Sequence, residues 1–179
     1  MDLRESIKPR ATERFSRQHE ELVNLSKELV RALDTRSIAI DPTPVRRALA
    51  VFTGQLRVHA AMEQDALYPR LLASHDPKVA EKAQDLLREV GEIYNEFFSF
   101  LTRWTDGASV ASNAEDFCRE TMQQLYRLRL RMKREAEELY PLVEAHESTS
   151  QFDTASRRLS QRRPSTEHPS PTKKDTNAA

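Results

Sequence analysis

The sequence is short of the residues that turn or cross-link a chain. Among 179 residues glycine occurs three times and cysteine once, at Cys118. A lone thiol excludes an internal disulfide framework. Three glycines provide no glycine-rich phosphate loop and argue against a turn-rich β fold. Twenty-eight Lys and Arg offset 28 Asp and Glu, for a formal net charge of +0. Bulk electrostatics therefore gives no case for nucleic acid. No apolar run approaches membrane length, and the opening MDLRESIKPR has no apolar stretch of the secretory kind. The expectation is a cytoplasmic protein with neither a nucleic-acid nor a membrane partner. No nucleophile beside a base and no CxxC pair is present, so an enzyme is the weakest of the classes considered.

What is present is helical periodicity. Phe15, His19, Leu22, Leu29 and Leu33 fall on one face of a helix over residues 10–34. DTRSIAIDPTP interrupts it, and Thr43-Pro44 reads as an N-cap followed by proline at the first helical position. A second face follows at Val45, Leu49, Phe52, Leu56, His59, Glu63 and Leu67. Asp76-Pro77 repeats the start signal, ahead of Ala83, Leu87, Val90, Tyr94, Phe97, Leu101 and Trp104. TDGAS closes that helix. Asn113, with acids at 115 and 116 near the positive end of the dipole, opens a fourth. Its face is Phe117, Thr121, Leu125, Leu128, Glu135, Leu139 and Leu142. Four helices of about 25–30 residues, each roughly 40 Å long, predict an all-α, up-down-up-down four-helix bundle over 1–147. Pro69 and Pro141 should kink or end their helices. Residues 148–179 hold three prolines, many Ser and Thr, and six basic against three acidic residues. That composition predicts a disordered basic tail.

The chain repeats itself. Leu67-Tyr68-Pro69 and Leu139-Tyr140-Pro141 lie 72 residues apart, as do Glu63 and Glu135, and His59 and Arg131. The first and third helices match at offset 71, placing Val90 against His19. His59 and Glu63 are one turn apart, with Cβ atoms roughly 6 Å from each other. They can address one ion with imidazole nitrogen and carboxylate oxygen, and His19 lies on the core face of a neighbouring helix. Such mixed donors suit iron, manganese or zinc.

A helix-one histidine and an HxxxE ahead of LYP, followed by a second ExxxLYP, resemble the hemerythrin-like, or HHE cation-binding, domain family over about residues 10–146. The resemblance implies a four-helix bundle with non-haem iron in its core, and a role in carrying or sensing oxygen or in handling iron. It implies His19, His59, Glu63 and Glu135 as metal ligands. Val90 and Arg131 stand where the family pattern has histidines. One ion or none is then expected, and a full di-iron centre is not. Arg131, one turn before Glu135, can place a fixed positive charge where an iron would stand.

Two readings of function follow. One is a reduced iron site that binds oxygen or senses oxygen, redox state or iron, with O2 as ligand. The other is a metal-depleted regulatory module with a protein partner. ERFSRQHEELVNLSKELVRALD is similar to the opening helix of anti-sigma proteins, four-helix bundles that bind the housekeeping sigma factor of bacterial RNA polymerase. Tyr68 and Tyr140 read as packing residues with hydroxyls reaching outward. In the basic run at 127–134 alternate residues cannot all face outward, so some must lie at the bundle's edge or in a partner contact.

Overall fold

A computed structural model of the chain describes residues 12–146; the tail read at 148–179 lies outside them. The elements in chain order are α1 (Glu13–Arg31), α2 (Thr35–Ile40), α3 (Thr43–Ala66), α4 (Tyr68–Leu72), α5 (Pro77–Arg103), α6 (Gly107–Ser112) and α7 (Ala114–Arg134). A π-helical turn at Glu135–Leu139 follows α7, and helix continues over 140–146. No strand occurs among the described residues.

Cross-helix contacts fix the direction of each long helix. Gln18 meets Met62 and Glu21 meets Gln55, so α1 and α3 are antiparallel. Arg46 reaches the Thr105 carbonyl while Phe52 packs on Phe97, so α3 and α5 are antiparallel. Arg103 pairs with Glu120, Glu96 with Arg127 and Glu89 with Arg134, which does the same for α5 and α7. His19 and Phe15 meet Glu135 and Tyr140 to complete the ring. The helical bundle is therefore of the up-down-up-down kind.

The interruptions hold more structure than the sequence reading gave them. DTRSIAIDPTP contains α2, which Asp34 starts by accepting from Ser37 N at 2.8 Å, with Ile38 as its apolar anchor. Asp106 likewise caps Ala108 and Ser109, so DGAS begins α6. One turn is too short for a periodic pattern to reveal it; a capping carboxylate and one buried side chain suffice. Thr43 lies inside α3 and not at its cap, because the Asp41 carboxylate already accepts from Thr43 N at 2.9 Å. On α5, Leu86 and Phe100 are the buried residues where Leu87 and Leu101 were expected.

The two prolines act differently. At Pro69, α3 has already ended at Ala66 and a new turn starts at Tyr68. Pro141 has no N–H for a bond to the carbonyl four residues back, and its ring crowds that carbonyl. The chain widens instead, and Tyr140 N donates to the Glu135 carbonyl, five residues back.

Two apolar clusters fill the bundle. One gathers Phe15, Leu67, Tyr68, Leu71, Leu86, Leu139 and Tyr140. The other runs from Leu22, Leu56, Val90 and Leu128 to Trp104 and Phe117. Each fully buried aliphatic or Phe contributes about 1.5–3 kcal/mol. Between Phe15 and Leu22 on α1, and between Leu56 and Leu67 on the second long strand of helix, lies a polar layer.

Candidate metal centre

That layer contains His19, His59, Glu63, Arg131 and Glu135, all buried, the last four at no more than 2% exposure. Each position follows from helical spacing. His59 and Glu63 are a turn apart on α3, and Arg131 and Glu135 a turn apart where α7 meets the π-helical turn. His19 sits on α1 between core residues Phe15 and Leu22.

The donor atoms converge. One donor atom from each of His19, His59, Glu63 and Glu135 lies within 4.8 Å of the others. His19 Nε2 is 3.1 Å from His59 Nε2, 3.0 Å from Glu135 Oε2 and 2.9 Å from the Tyr140 hydroxyl. His59 Nε2 is 3.6 Å from Glu63 Oε1 and 3.9 Å from Glu135 Oε2. An imidazole nitrogen carries one proton or one lone pair and cannot satisfy three such neighbours. Two Nε2 atoms facing each other between two carboxylates form a poor hydrogen-bond network but a good donor shell. Donors on opposite sides of an ion stand about 4–4.4 Å apart, given metal–ligand distances of about 2.0–2.2 Å, so the 4.8 Å span needs only a few tenths of an ångström of closure around an ion. The residues present therefore fit a cation.

A second layer of contacts aims these donors. The Gln18 carbonyl oxygen lies 3.2 Å from His59 Nδ1 and can only accept there. In the neutral ring the proton is thus on Nδ1, and the Nε2 lone pair points at the centre, the usual orienting device for a metal-binding histidine. Gln18 Nε2 donates in turn to Met62 Sδ at 3.0 Å. Tyr140 Oη donates to Glu63 Oε1 at 3.0 Å, and its ring stacks on His19 at 5.3 Å between centroids.

The two carboxylates are unequal. Burial, reinforced by the charge of Glu135, pushes Glu63 well above the usual carboxylate range. Burial also works against ionised Glu135, but the His19 and His59 rings beside it and the charge of Arg131 outweigh it and hold it below that range. Like charges this close cannot both ionise without a cation beside them. Arg131 Nη2 lies 3.0 Å from Glu135 Oε1 and donates to the Tyr68 hydroxyl.

The sequence reading placed the LYP tyrosines with their hydroxyls outward, and the structure corrects this. Tyr68 and Tyr140 are 2% and 4% exposed and aim their hydroxyls into the polar layer. Each lies five residues after a glutamate, which on an α-helix is about 140° off its face. The break before Tyr68 and the π-helical turn before Tyr140 bring them back. The ExxxLYP repeat and its prolines were the available signal. Gln18 was also missed; a lone glutamine beside a histidine carries no motif. Val90 is buried on α5, and Glu89 pairs with Arg134, so α5 supplies no member of the converging set. The basic run divides. Arg127 and Arg134 pair with Glu96 and Glu89 on α5, Arg131 turns inward, and Arg129 and Lys133 are exposed.

A helical bundle whose core gathers two imidazoles and two carboxylates on one point defines a cation-binding class of protein. The Hemerythrin HHE cation binding domain model matches residues 10–143, and the chain belongs to that family. No curated protein and no solved structure matches the chain.

Proposed function

We propose that this protein binds a single non-haem iron ion through His19, His59, Glu63 and Glu135 and uses it to bind oxygen or to sense oxygen, redox state or iron. The convergence of four donor atoms within 4.8 Å, inside a buried layer, supports the reading most directly. Two nitrogens and two carboxylate oxygens suit ferrous iron among the divalent metals. Iron would supply a redox-active centre with affinity for oxygen. The chain's own residues do the rest. Gln18 fixes the His59 tautomer, Tyr140 holds Glu63 by a hydrogen bond, and the apolar clusters on either side keep bulk water out. The reading is of a binding protein, not an enzyme, in the cytoplasm. No helix among the described residues is long and apolar enough to cross a membrane.

The test is anaerobic titration with ferrous iron, followed by absorption spectra in air and after reduction. One iron per chain with a reversible air-dependent spectrum supports the reading. Iron binding without a response to air reduces it to iron holding or sensing. No binding removes it.

A regulatory interaction module is the second reading, and one surface favours it. Met122, Tyr126 and Leu130 form an exposed apolar row on α7. Its end joins a groove with His19 and Val23 on one side and Arg129 and Lys133 beside it. A protein partner seated there would touch the edge of the centre. Absence of metal together with a specific protein complex would favour this reading.

A further inference from the structure

We propose that Arg131 is a built-in cation: its guanidinium takes the place of a metal ion in the second half of the cluster, so that the centre admits one ion and the bundle stays closed without any. This rests on the single-ion reading of the cluster for its first half only; the second half concerns the chain alone.

His59 and Glu63 recur 72 residues later as Arg131 and Glu135, each pair one helical turn apart. The surroundings repeat as well, crosswise. Tyr140 of the second LYP donates to Glu63 of the first half, and Tyr68 of the first LYP meets Arg131 beside Glu135 of the second. A centre with two equal halves would offer a donor set to an ion on each side. In this chain one half keeps an imidazole, a donor with a lone pair. The other has a guanidinium, which has five N–H donors, no lone pair to give a metal, and a permanent charge. Arg131 cannot ligate, and a second metal ion would meet it as a like charge.

Its geometry is that of a counter-ion. Nη2 stands 3.0 Å from Glu135 Oε1. Nε and Nη1 have no hydrogen-bond partner although the residue is 2% exposed. A guanidinium kept for hydrogen bonding would use its whole fork. This one leaves donors unpaired, at a cost, in a position that its charge explains. Val90 completes the disarmed half. It is buried and apolar at the α5 position that matches His19 on α1.

The experiment uses the full chain, with zinc as the probe and metal per chain measured by mass spectrometry after desalting. Melting is followed separately in excess chelator. Wild type is compared with Arg131→His, Val90→His/Arg131→His, Arg131→Met and Arg131→Lys. The double histidine variant should hold two zinc ions where wild type holds one. One ion in both overturns the exclusion of a second metal. In chelator, Arg131→Met should melt lower by on the order of 6–20 °C, because Glu135 is left as an uncompensated buried charge. Arg131→Lys, which keeps the charge and loses the fork, should recover most of that. Met melting at or above wild type, or Lys melting as low as Met, overturns the counter-ion role. If wild type binds no zinc, the single-ion reading fails, and the chelator series still decides whether Arg131 is the cation that closes the bundle.

Discussion

Glu63→Gln separates what the centre does for the ion from what it does for the fold. Gln is nearly isosteric and neutral. In chelator Glu63 is held as the neutral acid at neutral pH by burial and by Glu135, so the change replaces one uncharged group with another. The melting temperature in chelator should stay within about 3 °C of wild type; surface-like changes of about 0.5–1 kcal/mol correspond to that shift at this chain length. Ion binding should respond quite differently. Glu63 supplies one of only two anionic donors, and perturbing even an outer contact of a metal site costs 10–100-fold in affinity, so losing this carboxylate should cost about 100-fold or more. At a free ion concentration of about 100 times the wild-type Kd, wild type gains about 2.7 kcal/mol, or roughly 5–11 °C. The variant, near its own Kd, gains about 0.4 kcal/mol, or roughly 1–2 °C. Differential scanning calorimetry with ferrous iron or zinc, and with chelator, reads all four numbers. A variant that keeps the full ion-dependent rise refutes the assignment of Glu63 as a donor. A large loss in chelator refutes the claim that Glu63 serves the ion at no benefit to the fold.

Other outcomes follow from single contacts. Gln18→Leu frees His59 Nδ1 and should weaken ion affinity about 10–100-fold with stoichiometry unchanged, measured by competition with a calibrated chelator. Leu22→Ala removes a fully buried side chain beside the polar layer and should cost about 2–5 kcal/mol in a denaturant titration. Glu138 is held down to about 2 chiefly by Arg134 and then Lys82. A depressed carboxylate contributes above its ordinary pKa and loses that contribution as the pH falls through its folded value. The acid limb of the stability curve should therefore steepen between about pH 4.5 and 2. Lys82→Ala should make that limb shallower, by a small amount because these pairs are half exposed.

The sequence was most legible where one residue's position repeats a physical rule. Steps of four along His59, Glu63 and Leu67 carry the helix and its inward face together, and the offsets of 72 and 71 residues exposed Arg131 and Val90 as the departures. Three things escaped that reading. The turns at α2 and α6 rest on a capping aspartate and one anchor, Ile38 or Val110, and no period extends over so few residues. The tyrosines escaped because an α-helical count puts a residue five places after a glutamate on the wrong face. Only the distortion before Pro141 returns Tyr140 to the centre, and proline announces a distortion without giving its direction. Gln18 escaped because an amide that orients an imidazole is recognisable only when the two helices are side by side.

The position of a bound ion tests the central claim most directly. Crystals grown with ferrous iron or zinc, with anomalous data collected at the metal edge, should show one peak per chain, bonded to His19 Nε2, His59 Nε2 and the carboxylates of Glu63 and Glu135, with the Arg131 guanidinium beside Glu135. A peak elsewhere, two peaks in the bundle core, or His19 and His59 turned from each other with no peak between them would contradict it.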